Sequence, residues 1–116
     1  MKVNYWETDN EAPVLSFIQG EPVKAGAKIQ KIIDYFEEQG LSLLNTQYLK
    51  KIQGHRELYE LRIIWSGIKY RILLVIRDSI AWLVHAFIKT SKKIPLHHLQ
   101  LADQRRMMIQ NLSVIN

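Results

Sequence analysis

The sequence predicts an α+β chain: two N-terminal helices packed on a small, twisted, mainly antiparallel sheet, followed by a C-terminal helix. Three observations carry this prediction. Ser66-Gly67 separates two runs rich in Ile, Tyr, Trp and Leu, the mark of a two-residue hairpin. Ala25, Ile29, Ile32, Ile33 and Phe36 recur at helical spacing and make one apolar face. Pro95 stands where a last helix can open. No repeat, low-complexity tract or linker interrupts the chain, so residues 1–116 read as one domain.

Taken in order, Val3–Glu7 (VNYWE) is a short candidate edge strand. Asp9 or Asn10 can cap a first helix with Pro13 in its first turn; Val14, Leu15 and Ile18 form its buried side and Gly20 ends it. A second helix spans about Pro22 to Gln39 and stops at Gly40. Lys24, Lys28 and Lys31 share its other face, a pattern more often solvated than phosphate-binding. Leu41–Ile52 is a connector, and Gln53–Glu57 a polar loop. Leu58–Trp65 and the run after Gly67 are the central strands, and Asp78-Ser79 turns the chain into Ile80–Ile88. The last helix runs from Pro95 to about Leu112, with Leu99, Ala102 and Ile109 inward and Arg105 and Arg106 outward.

A regular Ser66-Gly67 hairpin places Trp65 opposite Ile68, Ile63 opposite Tyr70 and Arg62 opposite Arg71. Like charges directly opposite on one sheet face are destabilising unless something anionic joins them. That anion is either a ligand, since guanidinium groups grip phosphate bidentately, or a local partner such as Glu60 or Asp78; otherwise both side chains splay into water. A clean turn at Asp78-Ser79 sets Arg71 opposite Ala86 and sends Lys89 to the other face. A one-residue bulge restores the parity. The favoured alternative is that Lys89 swings round the strand end, because Thr90-Ser91 follow at once. His85, on an apolar strand, reads as a hydrogen-bonded core histidine.

Composition limits the function classes. At 47% hydrophobic the chain can bury a core, and its formal charge of +5, with a pI near 9.6, favours nucleic acid or an acidic protein as partner. There is no cysteine, so no disulfide framework or thiolate metal site, which fits a reducing cytosol. The start lacks a signal-peptide apolar region, and no apolar run is long enough to span a membrane. His97-His98 invites a metal reading, but adjacent helical residues point about 100° apart and no partner set has metal spacing. No metal or cofactor is expected, and no helix-turn-helix is visible to support a DNA-contacting regulator.

Tyr59-Glu60-Leu61-Arg62-Ile63, Tyr70-Arg71-Ile72-Leu73, Leu83-Val84-His85-Ala86-Phe87-Ile88-Lys89 and Lys92-Lys93-Ile94-Pro95 form a series that resembles the RelE/HigB superfamily of toxins, and more narrowly its phage-derived HigB-like branch. The resemblance covers nearly the whole chain, because the flanking helices also fit. It implies a cytoplasmic, metal-independent endoribonuclease that cleaves messenger RNA on the ribosome. It also implies a small helix-turn-helix antitoxin, HigA-like, as protein partner. In that chemistry the ribose 2′-hydroxyl attacks phosphorus, leaving a 2′,3′-cyclic phosphate and a 5′-hydroxyl. Arg62 and Arg71 suit the stabilisation of charge on phosphorus. Lys89 and Lys92 are the companion catalytic candidates, with Lys93, His55 and His85 as other titratable groups. Lys50, Lys51, His55, Arg56, Lys69 and Lys93 are the candidate RNA contacts. Two departures stand out: Thr90 where the family often has a second lysine, and Ile94 where it often has threonine. They keep open a non-catalytic RNA- or ribosome-binding protein.

Overall fold

The computed structural model describes residues 1–115, with side chains through Ile109. The chain enters on a strand, β1 (Lys2–Tyr5), and continues through helices α1 (Pro13–Gln19) and α2 (Val23–Gln39) and a 3₁₀ turn at Gly40–Leu43. Then come β2 (Leu49–Lys51), β3 (Leu58–Trp65), β4 (Ile68–Arg77), β5 (Ile80–Ile88) and helix α3 (Leu96–Ile115). The strands form one sheet in the order β1-β5-β4-β3-β2.

This arrangement corrects the architecture expected from the sequence. The sheet has five strands and is mixed, because β1 runs parallel to β5 while the other pairs are antiparallel. The helices are not an N-terminal pair on an antiparallel sheet: a strand precedes them, and α1 and α2 lie in the long crossover that a parallel pair requires. The reason lies in the range of the signals. Turn chemistry specifies neighbours such as β3 and β4, whereas β1 finds β5 across most of the chain.

Turn residues fix the central ladder. Ser66 and Gly67 take φ of 51° and 77°, and Asp78 and Ser79 take 53° and 63°. Two successive left-handed residues make the turn whose twist matches a hairpin. The first hairpin closes with Trp65 opposite Ile68, Ile63 opposite Tyr70 and Arg62 opposite Arg71, the register expected. The connector also holds a strand the sequence did not announce, β2, paired with β3 so that Lys50 faces Glu60.

Alternation sorts the strand side chains onto two faces. Leu61, Ile63, Tyr70, Ile72, Leu74, Ala81 and Leu83 pack with Val14 of α1 and with Ala25, Ile29, Ile32, Ile33 and Phe36 of α2. The expected caps at Asp9 or Asn10 do not form: Ala12 occupies the cap position of α1 without a side-chain bond, and Thr8 Oγ1 accepts the Asn10 and Glu11 amides instead. On the opposite face Leu58, Leu73, Val75, Val84 and Phe87 pack with Ala102 and Ile109 of α3.

A bulge in β5 decides which residues share that second face. Leu73 pairs with His85, but Leu74 pairs with Leu83, so Val84 is the extra residue. Arg71 therefore faces Phe87, not Ala86, and the Lys89 amide donates to the Lys69 carbonyl at 2.8 Å. The bulge restores parity and brings Lys89 to the arginine side, so the swing round the strand end is not needed.

Arg105 holds this bulge. It was expected on the surface, yet it is 9% exposed, donates from Nη1 to the Val84 carbonyl at 2.6 Å and lies 5.0 Å from the Trp6 ring. Arg106 is likewise drawn in, half-buried beside Asp103 and Glu57. Replacing Arg105 by Ala leaves the Val84 carbonyl without its partner and opens space over Trp6. The urea midpoint should fall by the equivalent of about 1–3 kcal/mol; an unchanged midpoint would show that the bulge does not need this contact.

Candidate functional site

The exposed half of the α3 face carries the charged groups. Arg62 of β3 and Arg71 of β4 sit directly opposite, and Glu60 precedes Arg62 by one alternation step on the same face. Arg62 Nε donates to Glu60 Oε1 at 2.6 Å, and Arg71 Nε stands 3.3 Å from Oε2. The second contact is an ion pair without the alignment of a hydrogen bond, so Oε2 and Arg71 Nε keep unused bonding capacity. Arg71 also donates from Nη1 to the Tyr70 carbonyl at 3.1 Å. Burial separates the three: the side chains of Glu60 and Arg71 are 2% and 7% exposed, that of Arg62 34%. Arg62 is thus the member of the three most open to solvent.

Lysines surround this triad. Lys69 and Lys89 are bridged through their backbones at the open end of the β4–β5 ladder. The Lys89 ammonium is held below the usual lysine range, first by burial and then by Arg71, Arg62 and Lys69, with Glu60 opposing. Burial also lowers Arg71 from the usual arginine value, against the pull of Glu60. Lys92 joins Lys69 and Lys89 along a groove of about 640 Å³ that also includes Gly67, Ile88 and Thr90. On the other flank, Lys28 of α2 enters a cleft of about 300 Å³ with Arg62, Arg71 and Tyr48.

The structure thus brings together Arg62, Arg71, Lys69, Lys89 and Lys92, with Lys50 across from Glu60 on the edge strand. Lys93 is exposed in the following loop. Three other sequence candidates lie toward the opposite end of β3. Lys51 Nζ donates to the carbonyls of Ile52, His55 and Leu58, which makes it a clasp for its own loop. His55 Nδ1 meets Asp103 Oδ2 of α3 at 2.8 Å, and Arg56 is exposed beside them. Glu57 ties the same loop to Arg77 through two bonds, of 2.8 and 2.6 Å, which hold its carboxyl below the usual range.

Residues 16–107 match the model of the family described as Phage derived protein Gp49-like (DUF891). The chain belongs to the Gp49-like family. This family is associated with RelE-like toxins of toxin–antitoxin systems, so the charged face sits on a toxin-family chain. A search of curated proteins finds no match. Among the described residues of this Gp49-like chain no helix is long and apolar enough to cross a membrane, and no group of three or more His, Cys, Asp or Glu could hold a metal ion.

Sequence reasoning named Glu60 only as one possible local partner for the arginines, although its step-of-two spacing from Arg62 was visible. It did not place Lys28 or Tyr48 at the site, because only the packing of α2 against the β3 edge brings them there.

His85 is half-buried under α3, as its apolar strand predicted. Its Nε2 lies 2.7 Å from His98 Nδ1, and Arg105 Nη1 lies 3.4 Å from its Nδ1. Burial, then electrostatic repulsion from His98, Arg105 and His97, push its pKa down to about 4 from 6.5. The unfolded ring takes a proton near 6.5 and the folded ring only near 4. Stability linked to this ring is therefore fully present above pH 6.5 and is lost as pH falls toward 4. The loss should reach about 2 kcal/mol after allowance for partial solvent exposure. Glu57 adds to it only below its ordinary 4.5. Urea midpoints at pH 7 and 4.5 should show the decline, and His85→Leu should cut it by at least half.

Proposed function

We propose that this chain is a HigB-like messenger RNA endonuclease, active on ribosome-bound RNA and independent of metal. The observation that carries the reading is the triad with its neighbouring lysine: a buried carboxylate whose second oxygen is ion-paired but not hydrogen-bonded, a guanidinium group on each side, and a lysine of lowered pKa beside them. The chemistry needs three parts. A base takes the 2′-proton, cations stabilise charge growing on phosphorus, and an acid protonates the departing 5′-oxygen.

Glu60 Oε2 suits the base. Arg71, and Arg62 once it swings off Glu60, suit the phosphate oxygens. Lys89 suits the acid, since lowering its pKa toward neutrality makes proton donation easier. The 2′-oxygen forms its bond to phosphorus as the bond to the 5′-oxygen breaks, so the proton lost to Glu60 is matched by one given from Lys89. The ribosome would supply the in-line geometry that this small set does not impose. Lys50, Lys69, Lys92 and Lys93 would guide the strand, and a helix-turn-helix antitoxin would block the same cationic face. A cytoplasmic setting follows from the substrate.

A second reading has its own support. Glu60 already fills the space between the arginines, which fits a non-catalytic RNA- or ribosome-binding protein. One experiment separates them. Ribosomes programmed with a defined messenger RNA should be cut by the wild-type protein and mapped by primer extension. Arg62→Ala should slow cleavage by about 10²–10³-fold. Lys89→Met should also slow it and remove the decline in rate seen as pH rises through the Lys89 pKa. Salt-sensitive RNA binding without any cleavage would favour the binding protein.

A further inference from the structure

The cleft beside Arg62 and Arg71 has more parts than a phosphate requires. It is lined by Lys28, Ile32, Gln47, Tyr48, Arg62 and Arg71, with Ile63 and Ile64 completing it. At about 300 Å³ it lies at the lower end of small-ligand sites. Its lining is divided. Lys28 and the two arginines supply positive charge, with no carboxylate among the lining residues. Ile64 is 61% exposed, unusual for a large apolar side chain on a strand, and Tyr48 is half-buried.

The segment that presents Tyr48 is held before any ligand arrives. The Asn45 amide donates to the Leu49 carbonyl at 2.9 Å, and the Tyr48 amide donates to Thr46 Oγ1 at 3.2 Å. The Arg62 amide donates to the Tyr48 carbonyl at 2.8 Å, which fixes Tyr48 against the arginine strand. Tyr35 of α2 abuts the Tyr48 ring edge-on, 5.3 Å between centroids. Gln47, at the rim, is exposed and has no hydrogen bond among the described residues.

We infer that this cleft holds one nucleobase of single-stranded RNA, the base adjoining the phosphate at Arg62 and Arg71. The occupant must be anionic at one end and flat and apolar-faced at the other, and must offer polar edges to an amide. A nucleotide has these three properties together, and single-stranded bases are bound by stacking on aromatic rings. Tyr48 and Ile64 supply the walls, Lys28 a second phosphate contact, and Gln47 the edge contact that can favour one base over another. The inference rests on the RNA reading above and adds the specificity-determining residues to it.

The test uses the full chain and end-labelled 2′-O-methyl tetranucleotides, whose blocked 2′-oxygen prevents cleavage, alongside an abasic oligomer of equal length. By fluorescence anisotropy the wild type should bind the base-bearing oligomers about tenfold or more tighter than the abasic one, the scale of one stacked base. Tyr48→Leu should erase most of that gap without changing abasic binding, and Tyr48→Phe should keep it. Gln47→Ala, at an exposed position where misfolding is not a concern, should change the rank order among A, C, G and U oligomers. If the wild type binds both oligomers equally, or if neither variant alters its preference, the cleft inference is overturned while RNA binding stands. If the wild type binds no oligomer but does bind an acidic peptide, the RNA reading falls as well.

Discussion

Glu60 is the group on which the sheet's charged face depends. Arg62 and Arg71 stand opposite one another across β3 and β4, where like charges on one sheet face are destabilising. The Glu60 carboxylate contacts both, and with 2% exposure it is nearly withdrawn from water. Removing either side of such an arrangement strands a buried charge, which costs more than the pair contributes. The apolar core on this face therefore stops at Leu73 and Phe87, and α3 covers only the part of the face beyond the triad.

The second dependency is parity. The extra residue at Val84 sets every later side chain of β5, and Arg105 from α3 is bonded to its carbonyl. Lys89 stands near Arg71 and Arg62 because of that one inserted residue. The same α3 contact buries His85 beneath His98 and Arg105, and that burial first, with their repulsion second, is why its imidazole resists protonation. Helix packing on one half of the face and cation placement on the other are thus coupled through a single strand.

Local turn chemistry made the centre of this site legible. Ser66-Gly67 fixed the register, and the register set Arg62 opposite Arg71. The arrangement of strands was less legible where partners are distant in sequence. Nothing near Lys2–Tyr5 states that it will lie parallel to β5, and the three-residue β2 is too short to show a period. A bulge has no turn signal of its own, so a one-residue bulge could be raised only as an alternative, without placing it at Val84. Arg105 looked like a surface residue because a helix of mixed polarity does not reveal which charged side chain will meet a bulge carbonyl. Lys51 and His55 looked free because the carbonyls and the carboxylate that hold them come from folding of the loop and of α3. Tyr48 and Lys28 meet only when α2 lies against the β3 edge.

On the proposed reading, Glu60 has two opposed effects, and their balance gives the site its character. At rest it occupies Arg62 and weakens the field that the two arginines present, so first attraction for RNA rests on the lysines at the rim. Arg62 commits its Nε to Glu60 Oε1, so gripping a phosphate with its whole fork means leaving Glu60, while the oxygen proposed to take a proton, Oε2, stands beside Arg71. A loosely held strand gives little reason for the exchange, because a solvated phosphate competes with a pre-positioned carboxylate at 2.6 Å. A strand whose sugar and phosphate are already fixed nearby loses less entropy on binding and can displace the carboxylate. Dependence on the ribosome then has a cause within this chain: a free strand can be held by the cleft and the outer guanidinium nitrogens, and the full exchange of Arg62 from Glu60 to phosphate is favoured further once the ribosome has ordered the RNA.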